Sequence, residues 1–238
     1  MAHKQRDYDR DTPLELVRDY KLFAIVCEGG KREPDYFKKF QFLSSKIKVD
    51  VIETYITDEE MQIYFDDKSA PRWVLDRAIR YIDKVGLIDE DDLWFVIDRD
   101  EWEENQIREI ASYCDENPNW HLVISNPCFE VWLYFHMRSD ITISESTCCN
   151  EFKTEIARFD PGGYNPLVFI QRFQEAIVNA KAADSDKDYF LPKFKETKVY
   201  QLGEAVVAKV SRADLVRFIN YKIPELIRFE NAWRSRRK

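Results

Sequence analysis

Hydrophobic runs and amphipathic segments alternate along the first 136 residues of the chain. The runs that predict strands are apolar or alternate apolar with polar residues, and they lie at residues 21–27, 47–52, 93–97 and 120–124. The segments that predict helices carry apolar residues at helical spacing, and they lie at residues 34–40, 71–86, 104–116 and 128–136. Regular alternation of strands and helices favours a parallel sheet with helices on its faces. We therefore expect an α/β fold built on a parallel four-stranded sheet.

The pattern changes after residue 140, where helical spacing takes over and no strand of comparable quality is evident. The segments with helical spacing lie at residues 147–158, 166–182 and 199–227. The first twenty residues are polar and irregular, and a polar stretch at 57–69 predicts a loop. The sequence thus predicts three parts, which are an N-terminal arm at 1–20, an α/β domain at 21–140 and a helical C-terminal region packed on it at 141–238.

Composition is typical of a soluble globular protein. The 238 residues are 45% hydrophobic and 34% charged, and no apolar stretch approaches the roughly 18 residues that a membrane span needs. The N-terminus lacks the apolar segment of a signal peptide. Five cysteines, an odd number without a Cys-x-x-Cys pair, favour neither a disulfide framework nor a zinc site. We expect a cytoplasmic protein that makes no membrane contact.

The charge distribution bears on possible partners. A formal net charge of −8 counts against a passive nucleic-acid binder, but less against an enzyme whose metal ions offset local negative charge. Nine acidic residues and one Arg lie between Asp89 and Glu104. The C-terminal stretch from Arg234 to Lys238 is basic, which fits either a solvated terminus or a phosphate-binding patch.

Three carboxylates follow two of the predicted strands directly. Glu28 comes after the apolar run at 22–26, and Asp98 and Asp100 come after the run at 93–97. If these strands are parallel neighbours, the three side chains converge at the C-terminal edge of the sheet, where open α/β sheets place their sites. Crowded carboxylates cannot all stay ionised without a cation. The sequence therefore predicts a divalent metal site, and Mg²⁺ or Mn²⁺ suits an all-oxygen ligand set.

Two further glutamates are candidate ligands of a second metal. Glu33 follows the glycine pair at 29–30 and starts a helix, and Glu130 lies in the first turn of the helix after the fourth strand. Acidic residues at helix starts also stabilise the helix dipole without any ligand. Both interpretations of these two residues stay open at the level of the sequence.

Basic and nucleophilic candidates lie beside these carboxylates. Lys31 and Arg32 could contact a phosphate near the metal or could be solvated charges at a helix start, whereas the spacing of a P-loop is absent. Cys128 could be a nucleophile at a helix N-terminus. Because no Cys/His or Ser/His/Asp arrangement is evident, cysteine or serine hydrolase chemistry is only a distant alternative.

These residues also carry a family resemblance. Glu28 with the Asp98-Arg99-Asp100 turn resembles the TOPRIM domain of topoisomerases, primases and OLD-type nucleases. More specifically, three blocks resemble the RloB-like family. They are Cys27-Glu28-Gly29 with Glu33-Pro34 and Tyr36-Phe37, then Asp98-Arg99-Asp100, and finally Ser125-Asn126-Pro127-Cys128-Phe129-Glu130-Val131-Trp132.

The resemblance implies a TOPRIM fold, Mg²⁺-dependent phosphodiester chemistry and a part in bacterial defence against phage through abortive infection. It also implies an AAA-type or ABC-type ATPase encoded nearby as a partner. We accordingly expect a metal-dependent nuclease acting on DNA or RNA, with Glu28 as metal ligand or general base and Asp98 and Asp100 as metal ligands. The alternative is a non-catalytic, TOPRIM-shaped effector or sensor that works with the ATPase.

Overall fold

The computed structural model describes residues 19–52, 70–100 and 102–235 of the chain. The loop predicted at 57–69 and all of the predicted N-terminal arm except Asp19 and Tyr20 lie outside the described residues. Within these ranges the fold is α/β, with helices on both faces of one sheet.

The sheet has five strands in the described ranges, in the order β2-β1-β3-β4-β5. The strands are β1 (Lys21–Cys27), β2 (Ile47–Val51), β3 (Asp92–Asp98), β4 (Trp120–Asn126) and β5 (Glu196–Thr197). The pairs among β1 to β4 are parallel, as the sequence predicts. The prediction of only four strands is wrong, because β5 pairs antiparallel with β4.

Strand β5 was missed because it has two residues and neither is apolar. Backbone bonds hold it to β4: Lys195 donates to Asn126 and Lys198 donates to Ile124, both at 2.8 Å. The hydroxyls of Thr197 and Ser125 lie 2.8 Å apart and are buried. This strand therefore forms because it pairs with a distant segment of the chain. No hydrophobic run in the local sequence marks it.

Twelve helical segments surround the sheet in the described chain, and ten of them are α-helices. They are α1 (Arg32–Phe37), α2 (Ala70–Val85), α3 (Glu104–Glu116), α4 (Glu130–Met137), α5 (Cys149–Ala157), α6 (Pro166–Ile170), α7 (Phe173–Ala183), α8 (Val199–Lys209), α9 (Arg212–Arg217) and α10 (Ile223–Ser235). A 3₁₀ turn at Lys38–Phe42 follows α1, and a π turn at Phe218–Lys222 joins α9 to α10. The helix predicted at 199–227 is thus divided into several pieces.

Side chains of the sheet alternate between two cores. Phe23, Ile25 and Cys27 of β1 face the larger core, which holds the inner faces of α1, α4 and the C-terminal helices. Ala24 and Val26 face a smaller core built with α2 and α3. The C-terminal helices therefore share one continuous core with the α/β part of the chain.

A buried ion pair fixes the junction between β5 and α8. The ammonium of Lys198 lies 2.8 and 2.7 Å from the two carboxylate oxygens of Asp184 and also donates to the carbonyl of Asp186. The Tyr200 hydroxyl donates to the same carboxylate at 2.7 Å. Because both charged side chains are 1% exposed, each needs the other to offset the loss of hydration.

None of the helices in the described ranges is long and apolar enough to cross a membrane.

Replacing Lys198 by Met should leave the Asp184 carboxylate buried without its cation. We expect Lys198→Met to lower the free energy of unfolding by about 3–5 kcal/mol, which urea denaturation measures. The matched control is Lys181→Met, because Lys181 pairs with Glu204 at 2.6 Å while both side chains are more than 40% exposed. This exposed pair should contribute about 0–1 kcal/mol. Equal losses in the two variants would contradict the role given to the buried pair.

Candidate active site

Glu28 follows β1 and is held at both carboxylate oxygens. The backbone N–H of Asp98 donates to Oε2 at 3.0 Å, and the indole N–H of Trp102 donates to Oε1 at 2.8 Å. Burial nevertheless raises the pKa of Glu28 above its usual value, and the nearby charge of Asp100 raises it further. Glu28 is therefore a fixed carboxyl group that takes up a proton more readily than a solvated glutamate.

Asp98 ends β3 at the centre of the carboxyl groups. Burial raises the pKa of Asp98 well above its usual value, and the charges of Glu33, Glu28 and Glu130 raise it further. These four residues come from three separate segments of the chain, two following parallel strands β1 and β4 and one ending β3. The sequence prediction that β1 and β3 are parallel neighbours is confirmed by their register, with Cys27 opposite Val96.

Asp100 lies in the turn after β3 and is exposed. Its φ of 32° is in the left-handed region, which aspartate adopts more readily than most residues. Its backbone N–H donates to the carbonyl of Pro127 at 2.8 Å, which ties this turn to the segment after β4. The turn therefore places the Asp100 carboxylate at the solvent side of the same strand ends.

Glu33 is buried at the start of α1, with 7% of its surface exposed. Burial raises the pKa of Glu33, and the charges of Glu130 and Glu28 add to the increase. Its carboxylate lies so close to Gly29 that a Cβ on Gly29 would overlap both oxygens. A Cβ at position 29 would thus displace the flexible end of the Glu33 side chain from its present position.

Glu130 is 2% exposed at the start of α4, and its carboxylate forms an ion pair with the guanidinium of Arg32. Arg32 also lies over the ring of Tyr164, 5.6 Å from its centroid, and the Tyr164 hydroxyl donates to the Arg32 carbonyl at 3.0 Å. The guanidinium of Arg32 therefore offsets the negative charge of Glu130 in this structure. Lys31, the other predicted phosphate ligand, is exposed beside it.

A buried arginine reaches the same edge of the sheet from α2. Arg77 is 5% exposed, its guanidinium donates to the carbonyl of Cys27, and it stacks 4.0 Å from the ring of Trp73. Burial lowers its pKa, and the negative charge of Glu28 partly offsets this effect. The sequence analysis did not identify Arg77. It lies on the same apolar side of the helix as Val74, and a charged residue at such a position indicates a buried, partnered side chain.

Two cysteines border the cluster. The Cys149 thiol donates to Oδ1 of Asp100 at 3.5 Å. Contact with Cys149 and burial raise the pKa of Cys128 far above its usual value. The Cys128 thiol is consequently protonated at neutral pH, which argues against the nucleophilic role considered for it.

The carboxyl groups are neighbours, but they do not form a finished ligand shell. Within the ranges that the structure describes, no group of three or more His, Cys, Asp or Glu side chains is arranged to hold a metal ion. The donor chemistry fits a hard divalent cation, because Glu33, Asp98 and Glu130 supply only oxygen. Burial raises the pKa values of Asp98 and Glu33, and the charges of the neighbouring acids raise them further. A bound cation would offset that repulsion.

Comparison with known proteins gives one match. A family model described as RloB-like protein matches residues 23–206, well over half of the chain, and covers every candidate carboxylate. No curated protein and no solved structure matches the chain.

Replacing Asp98 by Asn should stabilise the metal-free protein above the ordinary carboxyl range. A carboxyl group whose pKa is higher in the folded than in the unfolded state contributes less stability as the pH rises from about 4 through the raised value. We therefore expect Asp98→Asn to raise the thermal midpoint in EDTA by about 2–4 °C near pH 8, and by less near pH 4.

Differential scanning fluorimetry across this pH range measures the effect. The control is Asp89→Asn, because Asp89 is an exposed acid in the turn at the opposite end of β3 and should change the midpoint little. A lower midpoint for Asp98→Asn at high pH would show that the Asp98 carboxylate stabilises the metal-free fold.

Proposed function

The chain belongs to the RloB-like protein family, and we propose that it is a metal-dependent nuclease that cleaves phosphodiester bonds of DNA or RNA. The metal would be Mg²⁺ or Mn²⁺, and the site would be the carboxyl cluster at the C-terminal ends of β1, β3 and β4. The TOPRIM identity of the fold is part of the same proposal, supported by the family resemblance.

The observation that carries the proposal is the crowding of buried and half-buried acids at one edge of a parallel sheet. Burial raises the pKa of Asp98 well above the usual value, and the charges of Glu33, Glu28 and Glu130 raise it further. A fold that only needed stability would place neutral residues there, because buried like charges repel. Acids are retained at such a position most readily where a cation binds.

The residues divide into two roles in this proposal. Asp98 and Glu33 would hold the metal, with Asp100 at the solvent side, and Glu130 would orient these ligands or serve a second metal. Glu28 is fixed by Trp102 and by the backbone of Asp98, and its raised pKa suits a group that takes a proton from water or returns one to a leaving oxygen. When bound, the metal would supply Lewis-acid stabilisation of the scissile phosphate.

Arg32 would have a different partner in the metal-free state and in the substrate-bound state. Its guanidinium now pairs with Glu130 and rests on Tyr164. If a cation takes over the charge of Glu130, the guanidinium becomes available to a phosphate oxygen, which arginine binds well. Lys31 is exposed beside it and would add a second positive charge toward the substrate.

A second candidate function is a non-catalytic sensor or effector module. The observation that favours it is the closed Arg32–Glu130 pair, which leaves the guanidinium of Arg32 engaged within the protein. Such a module would bind a divalent cation or a partner without cleaving nucleic acid. A partner ATPase, a role in phage defence and a cytoplasmic location belong to either candidate as proposals.

Removing both aspartates after β3 should abolish cleavage. We expect Asp98→Ala/Asp100→Ala to lose at least a hundredfold in Mg²⁺- or Mn²⁺-dependent cleavage of labelled DNA and RNA, since one lost ligand costs several kcal/mol of barrier. Calorimetric titration with Mn²⁺ gives a readout that does not depend on activity, and binding should be lost as well.

The matched control is Asp89→Ala/Glu90→Ala, which removes two exposed acids from the turn before β3, at the opposite end of the sheet. It should retain cleavage and Mn²⁺ binding. Cleavage that survives both the aspartate variant and EDTA would rule out this mechanism. Mn²⁺ binding without cleavage of any nucleic acid, with or without a partner ATPase, would favour the sensor module.

Glu130→Gln should have a smaller effect than Asp98→Asn. Glu130 is paired with Arg32 and lies at the border of the cluster. The charges of three other acids act on Asp98 and help to raise its pKa. We expect roughly a tenfold loss for Glu130→Gln, of the size typical for residues that orient metal ligands. Steady-state cleavage rates over a Mg²⁺ titration measure the loss in each variant. Equal losses in Glu130→Gln and Asp98→Asn would show that Glu130 is a direct metal ligand, as Asp98 is proposed to be.

A further inference from the structure

The last helix presents aromatic side chains to solvent. Tyr221 of the π turn is 70% exposed, Phe229 of α10 is 72% exposed and Trp233 is 51% exposed. These residues follow one another at multiples of four positions, which places them along one side of a helix. The opposite side is anchored, with Ile223 fully buried and Leu226 packed against the larger core.

This aromatic row lies in the most basic part of the chain. Residues 212–238 contain eight Lys and Arg residues against three Asp and Glu residues, a net charge of +5 in a chain whose net charge is −8. Arg228 is exposed next to Phe229, and Lys222 is next to Tyr221. The charge of this segment is therefore opposite to that of the rest of the molecule.

We propose that the aromatic row Tyr221, Phe229 and Trp233, with Arg228 and its basic neighbours, is a surface that binds single-stranded nucleic acid. Aromatic rings accept unpaired bases by stacking, and arginine and lysine contact the phosphates between them. This inference deepens the proposed nuclease function and rests on it, since it assigns the strand that the carboxyl cluster would cleave.

The same surface fits other occupants less well. A lipid interface would bury the row, yet Glu225 lies within it, 62% exposed and paired with Lys222 at 3.0 Å. Immersing that carboxylate would cost free energy, whereas stacked bases leave it in water. A second copy of the chain would bring two basic segments together. The positive charge therefore favours a polyanion.

Side-chain contacts of α10 connect this surface to the candidate active site. Glu230, beside Phe229, binds Lys39 at 2.9 Å and accepts from the side chain of Asn165 at 3.1 Å. The residue before Asn165 is Tyr164, which stacks on Arg32. Helix α10 thus packs on the same segments that hold the Arg32–Glu130 pair.

Fluorescence anisotropy with the full chain tests the proposal in EDTA, where metal-dependent cleavage is absent. The probes are labelled single-stranded DNA and RNA of about 20 nucleotides and mixed sequence, with the matching duplex for comparison. We expect single strands to bind more tightly than the duplex, and Tyr221→Ala/Phe229→Ala to weaken binding by about tenfold or more. Arg228→Gln should reduce the salt dependence of binding by roughly 0.7 in log–log slope.

The matched control is Tyr113→Ala, which removes a 38% exposed aromatic residue from α3 and should leave binding unchanged. Circular dichroism confirms that each variant is folded. Absent binding by the wild type, unchanged binding in the double variant, or an equal loss in Tyr113→Ala would overturn the proposal. Loss of dimerisation or of vesicle binding in the double variant, with nucleic-acid binding intact, would overturn it as well.

Failure of this proposal is distinguishable from failure of the nuclease proposal. A chain that binds single strands through Phe229 but cleaves none would refute the nuclease alone. Cleavage that is unaffected by Tyr221→Ala/Phe229→Ala would refute the binding surface alone. DNA and RNA probes in the same assay decide which of the two single strands the surface prefers.

Discussion

Parallel pairing of β1, β3 and β4 is the constraint on which the candidate site depends. Each strand delivers its following residues to the same edge, so Glu28, Asp98 and the segment before Glu130 meet although about seventy residues separate the first two. The sheet can hold these acids near one another because apolar runs bury both of its faces. The folding energy of the cores thus offsets a local electrostatic repulsion that the site itself cannot relieve.

The sequence predicted the parts of this arrangement that depend on local pattern. The apolar runs before Glu28 and Asp98 identified β1 and β3, and helical spacing identified the helix at 104–116. Strand β5 was missed because pairing with β4 creates it. Trp102 could not have been assigned to Glu28, because their contact joins residues 74 positions apart and leaves no mark in the local sequence.

Positive charge is distributed differently around the acids than the sequence suggested. The sequence left Lys31 and Arg32 open as phosphate contacts or as solvated charges, and in the structure Arg32 pairs with Glu130 while Arg77 reaches the edge from α2. The C-terminal segment at 212–238 has an excess of basic over acidic residues and is distant in sequence from the acidic stretch at 89–104. The molecule therefore separates an acidic region, suited to a cation, from a basic region, suited to a polyanion.

Strand β5 has a consequence for the order in which a nascent chain can fold. On the ribosome, β4 is complete about seventy residues before Thr197 is made, which is several seconds or more at typical elongation rates of roughly 5–20 residues per second. During that interval the outer edge of β4 lacks the strand that pairs with it in the folded protein. An unpaired strand edge is a template for pairing with another chain, so this edge is open to such association until β5 has been made.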